Sequence, residues 1–125
     1  MPRIRAEYFE IVAPAQWTAP MVFNSPHSGH HVPDGLRRRA VLPDHLLRLS
    51  EDSHMDALVA GCVDAGAPLL RALVSRTYVD VNREPYELDP RMFVERLPGY
   101  MNIASPRVAC GLGTIPKTVG DGLNI

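Results

Sequence analysis

Met21-Val22-Phe23 is an apolar run of strand length, and it breaks at once into Asn24-Ser25-Pro26-His27-Ser28-Gly29. Residues of this kind favour a short buried strand. Pro26, Ser28 and Gly29 forbid its regular continuation, so His27 is delivered to a loop at the strand's C-terminal end. In open α/β sheets that edge is where ligands bind. The rest of the chain has to be arranged around a buried strand that presents an imidazole.

At 125 residues the chain is expected to form one domain, 1–125, with a modest core. Its 13 basic and 14 acidic residues nearly cancel, which gives no electrostatic footprint for nucleic acid or for an anionic membrane. Cys62 and Cys110 form neither a disulfide framework nor a closely spaced metal pair, and they read as small buried hydrophobes. Met1 to Glu10 has no apolar leader core, and no run reaches membrane-spanning length. A cytoplasmic, soluble protein is the expectation.

Tyr8 to Val12 reads as a first strand, at the sheet edge, and Pro43 to Leu49 as a short helix with proline at its start. Arg37, Arg38 and Arg39 read as a solvated face. Ser50-Glu51-Asp52-Ser53 has the form of a helix start, with Ser50 as N-cap, two acids in the first turn and Gly66 as the stop. Met55, Leu58, Val59 and Cys62 would then form one buried stripe, and Glu51, one turn earlier, would lie at its end. Pro68 to Val74 reads as another strand. Thr77 to Arg83 alternates strictly, which predicts a strand with Tyr78, Asp80 and Asn82 on one face. Strand-like character resumes from Val108 to Val119, with Gly111-Leu112-Gly113 as a turn that lacks a phosphate-binding fingerprint. There is no internal repeat. Gly120 to Ile125 reads as a turn followed by an apolar residue, as if a further element were beginning.

Histidine and carboxylate are both ordinary zinc ligands, so His27 and Glu51 are the candidate pair; the alternative for Glu51 is a helix-dipole acid. His30 and His31 share the His27 loop and are alternative ligands or solvated side chains, whereas His45 and His54 occupy polar helical positions. Asp80, Asn82 and Arg83 place a carboxylate, an amide and a guanidinium close together. Arg83 suits bidentate capture of a substrate carboxylate, or a plain salt bridge with Glu84 or Asp80.

Ser25-Pro26-His27-Ser28-Gly29, Glu51-Asp52 with Asp56, Tyr78 to Pro85 with Leu88-Asp89-Pro90, and Gly111-Leu112-Gly113-Thr114-Ile115-Pro116 occur here in an order that resembles the N-formylglutamate amidohydrolase family, from Pro20 to Ile125. The resemblance implies an α/β protein, a three-layer α/β/α fold with a mixed, mostly parallel sheet, similar to zinc carboxypeptidases and zinc amidases. It implies hydrolysis of N-formyl-L-glutamate to formate and L-glutamate in histidine breakdown, with Zn²⁺ as cofactor. By position, His27 matches the first zinc ligand and Glu51 the second, with Asp52 as the alternative acid. Asn82 and Arg83 resemble the clamp for a substrate carboxylate. Family members are longer, and the third ligand and the general base are expected in the part without a counterpart here. The domain is therefore expected to be truncated and inactive alone, and to self-associate through uncovered sheet. The rival expectations are a non-catalytic remnant that needs a partner to complete its fold, and the same fold acting on another N-acyl amino acid or a cell-wall amide.

Overall fold

The computed structural model describes residues 2–125. Four strands form the main sheet: β1 (Arg3–Arg5), β2 (Phe9–Val12), β3 (Phe23–Ser25) and β4 (Leu69–Ala72), in the order β1-β2-β4-β3. β1 pairs antiparallel with β2, and β2 antiparallel with β4, whereas β3 runs parallel to β4. The sheet is thus mixed as expected, but the expectation of a mostly parallel one is corrected: of the three strand pairings only β3 with β4 is parallel. β2 is also an inner strand, not the predicted edge.

The register separates two faces. Phe9 pairs with Ala72 and Ile11 with both Ile4 and Leu70, so these side chains share one face. Glu10, Val12, Leu69 and Arg71 share the other. On that second face Val12 and Leu69 pack with Cys62, Val63 and Ala67, with Val59, Phe23 and Ala19 around them. The first face stays open: Ile4 is 65% and Phe9 42% exposed.

The segment on the closed face departs from its prediction. α3 (Met55–Leu58) begins at Met55 and gives way to a 3-10 turn at Ala60–Cys62. His54, just before it, has a φ of 66°, which sets the start of the helix after the expected Ser50 cap. Ser50 instead accepts a hydrogen bond at Oγ from the Gly120 N–H. The tighter turn after α3 shifts the buried stripe to Val59, Cys62 and Val63, and Leu58 is left 78% exposed.

Two further helical turns, α1 (Asp34–Arg37) and α2 (Asp44–Leu47), follow the His27 loop. Leu47 on α2 is fully buried, and its carbonyl accepts from the Thr77 hydroxyl. The predicted strand over Thr77 to Arg83 does not form. Its backbone is fastened by turns and loops instead, the Tyr78 N–H to the Ser75 carbonyl and the Asp80 N–H to the Thr114 carbonyl. The predicted strand-like segment beyond Val108 is α4 (Pro106–Ala109) followed by a small hairpin, β5 (Thr118–Val119) with β6 (Leu123–Asn124).

The loop after β3 returns to the sheet, where His31 bridges Val74: its N–H donates to the Leu73 carbonyl, and its carbonyl accepts from the Ser75 N–H. Gly29 is pressed against this junction so closely that a Cβ there would overlap the Val74 carbonyl. Only glycine lets the arch carrying His27 fold back at this point.

Asp89 is buried and receives both a side-chain fork and the backbone N–H of Arg91. The Arg91 hydrogen bonds hold its carboxyl below the ordinary carboxylate range, outweighing the upward push of burial. A folded value below the unfolded one means that the stabilisation is complete above the ordinary range and is lost as pH falls through the depressed value. Urea midpoints at about pH 7 and about pH 3 should therefore differ less for Asp89→Asn than for the wild type.

Candidate functional site

Ser25 ends β3 as a buried residue, and its hydroxyl donates to the Ser28 Oγ at 2.9 Å, which closes the arch over Pro26 and His27. The side chain of His27 is 10% exposed and lies between two carboxylates. Its Nε2 is 2.8 Å from Asp80 Oδ1, and its Nδ1 is 3.4 Å from Asp52 Oδ2. The backbone also joins the two segments, because the Asp52 N–H donates to the His27 carbonyl at 3.0 Å.

Asp80 is the centre of the cluster. It is 2% exposed, and its Oδ1 accepts from His27 and from the Asn82 N–H, while Arg76 Nη2 donates to Oδ2 at 2.6 Å and Arg83 Nη2 lies at 3.3 Å. Burial pushes its carboxyl upward, but the hydrogen bonds from His27, Asn82 and Arg76 outweigh it and hold the group below the ordinary range. An ionised Asp80 can only accept, so the proton of this pair resides on His27 Nε2, an assignment made from the partners. The other ring nitrogen, Nδ1, faces the Asp52 carboxylate.

Nδ1 and Asp52 Oδ2, 3.4 Å apart, can be joined through a shared proton or a metal cation. Donors about 2.1 Å from a tetrahedral zinc stand about 3.4 Å apart, and His27 Nδ1 and Asp52 Oδ2 have that separation. The Asp80 bond to the far ring nitrogen is the outer support that metal-bound histidines use. The pair therefore fits half of a zinc site. Among the described residues no cluster of three or more His, Cys, Asp or Glu side chains is arranged to hold a metal ion.

Glu51, the acid expected beside His27, faces elsewhere. Its side chain is 1% exposed, Oε2 accepts from Arg48 Nε at 2.8 Å, and Oε1 is buried without a partner. Asp52 is the acid at the imidazole. The reason is local: residues 50–54 are not helical, so Glu51 does not continue the later helical stripe and turns to Arg48, while Asp52 faces His27. Asn82 is exposed beside the cluster, and its backbone N–H is bound to Asp80. Arg83 donates from Nε to the Leu112 carbonyl and from Nη1 to the Asn82 carbonyl. Asn82 and Arg83 thus join His27 through Asp80. His30, His31, His45 and His54 are exposed and lie outside this cluster.

The second cation on Asp80 is Arg76, which alternation and motif alone do not single out. Besides Asp80 it reaches the Ser50 carbonyl from Nη1 at 3.4 Å. Its neighbour Ser75 is fully buried.

Fold and site together define an α/β protein whose sheet edge presents a histidine held between carboxylates. A sequence profile of the N-formylglutamate amidohydrolase family matches residues 19–125, and the chain belongs to that family. The crystal structure of N-formylglutamate amidohydrolase from Ralstonia eutropha JMP134 is similar, with 31% identity and a TM-score of 0.85 over 96% of this chain. The match spans 42% of that protein's length. Among curated proteins none matches. Among the described residues no helix is long and apolar enough to cross a membrane.

Proposed function

We propose that this chain carries part of the active site of a zinc-dependent amidohydrolase that converts N-formyl-L-glutamate, or a similar N-acyl amino acid, to the free acid and amino acid. The observation that supports this most is the His27 imidazole, fixed by Asp80 on one nitrogen and facing Asp52 across a ligand-sized gap with the other. His27 and Asp52 would hold the metal, and a third donor comes from outside the described residues. Zinc, when bound, supplies Lewis acidity toward the acyl oxygen and acidifies a water. Arg83 has five N–H donors, of which Nε and one Nη1 proton meet carbonyls and one Nη2 proton faces Asp80, so two remain for a substrate carboxylate. Asn82 offers an exposed amide beside it. In this reading the chain acts in histidine breakdown in the cytoplasm, where its free cysteines Cys62 and Cys110 stay reduced.

Competition of zinc with a chromophoric chelator tests the assignment. One weak site is expected on the isolated chain, lost in His27→Ala, with no formylglutamate hydrolysis by either. Equal zinc affinity in wild type and His27→Ala would overturn it.

The open sheet face favours a second element of the proposal, that isolated chains pair with one another. Ile4, Phe9, Ile11 and Leu70 make an uncharged apolar surface that two sheets can bury face to face, where a three-layer α/β/α fold would place its other helical layer. Sedimentation is expected to show dimers or larger species for the wild type and monomers for Phe9→Lys. A monomeric wild type would remove this element and leave the zinc assignment standing.

A further inference from the structure

The contacts around His27 close on themselves. His27 donates to Asp80, Arg76 donates to Asp80, Arg76 donates again to the Ser50 carbonyl, and Ser50 leads within two residues to Asp52, whose N–H returns to the His27 carbonyl. Every link except the covalent one is a hydrogen bond, and Arg76 is the member that joins the Asp80 side of the circuit to the Asp52 side. We propose that Arg76 is a positioning residue of this site: one guanidinium, spanning the Asp80 carboxylate and the Ser50 carbonyl, sets the distance between the imidazole and the Asp52 carboxylate.

The geometry divides the labour between the two arginines on Asp80. Arg76 meets Oδ2 at 2.6 Å, whereas Arg83 stands off at 3.3 Å and is committed to the Leu112 and Asn82 carbonyls. Arg76 is therefore the principal counter-charge of the buried carboxylate. Its presence leaves Arg83 free of that duty. The planar fork suits the task, because its Nη atoms point to different partners at a fixed angle, and a lysine ammonium can serve only one of these sites well. Its side chain is 17% exposed, so the span is made in a largely dry setting where a lost partner is not replaced cheaply by water.

This inference rests on the proposal that His27 and Asp52 hold a cation, and the test separates the two. Zinc affinity, thermal unfolding and the NMR resonance of the His27 Nε2 proton are measured at one pH for the wild type, Arg76→Met and Arg76→Lys. Loss of an outer partner costs metal affinity about 10–100-fold. Arg76→Met is expected in that range, with its imidazole N–H signal broadened by exchange. Arg76→Lys should recover most of the sharp N–H signal, because it still pairs with Asp80, and only part of the affinity, because the Ser50 link is missing. A folded Arg76→Met with an unchanged N–H signal, and with zinc affinity within about twofold of the wild type where the wild type binds zinc, would overturn the inference. If Arg76→Met does not fold, the lysine variant decides on the same two readouts: wild-type affinity together with a wild-type signal would overturn it. If the wild type binds no zinc, the cation assignment fails, and the N–H signal alone decides whether Arg76 holds the imidazole.

Discussion

Asp80→Asn is expected to destabilise the chain by about 3–5 kcal/mol, the cost of breaking a buried ion pair by removing one member. The carboxylate is 2% exposed and serves His27, Arg76, Arg83 and the Asn82 N–H at once. Asparagine keeps the shape, but it leaves two poorly exposed guanidinium groups without a counter-charge, and its amide must present an N–H to one of the donors. Against a typical domain stability of about 5–15 kcal/mol such a loss is a large fraction of the whole. Urea unfolding followed by circular dichroism measures it. A loss under about 1 kcal/mol would mean that the cluster is solvated and Asp80 is not its centre.

The part of this cluster that was legible in the sequence is the part set by local chemistry. An apolar run that ends in Ser25-Pro26-His27-Ser28-Gly29 had to stop a strand, and β3 ends at Ser25; but it begins only at Phe23, Met21 and Val22 are exposed, and the loop that follows is buried. The placing of Asp80, Asn82 and Arg83 together was also legible, though for the wrong reason. Alternation suggested a strand face, whereas the Asp80 carboxylate organises the segment by accepting from Asn82 and lying near Arg83. A period of two cannot distinguish a strand from a loop whose N–H groups find scattered acceptors.

The helix predicted from Ser50 failed because its start signals, a serine followed by acids, also suit a non-helical turn. His54 adopts a left-handed conformation, which a sequence without glycine there does not announce. A helix over residues 50–54 would aim Glu51 along the buried stripe toward His27. In the folded chain Glu51 faces Arg48. Arg76 was illegible for a different reason. Its value lies in bringing Ser50 and Asp80 together, and that proximity is created by the fold and absent from any local pattern.

Glu51→Ala and Asp52→Ala should therefore part company in zinc binding, although the two residues are adjacent and chemically alike. Asp52 faces His27 Nδ1 at 3.4 Å, so its removal takes away one of the two proposed donors on this chain. Loss of an outer partner alone costs about 10–100-fold in metal affinity, and loss of a donor should exceed the upper end of that range. Glu51 has Arg48 on one oxygen and no partner on the other. Its replacement removes a buried and only half-satisfied carboxylate, so the expected change in zinc affinity is within about threefold, with a small effect on stability of either sign. Chelator competition on both variants reads the contrast directly. If Glu51→Ala loses zinc and Asp52→Ala keeps it, the unpartnered Glu51 Oε1 is the true donor, and the segment before α3 must turn toward His27 when the metal arrives.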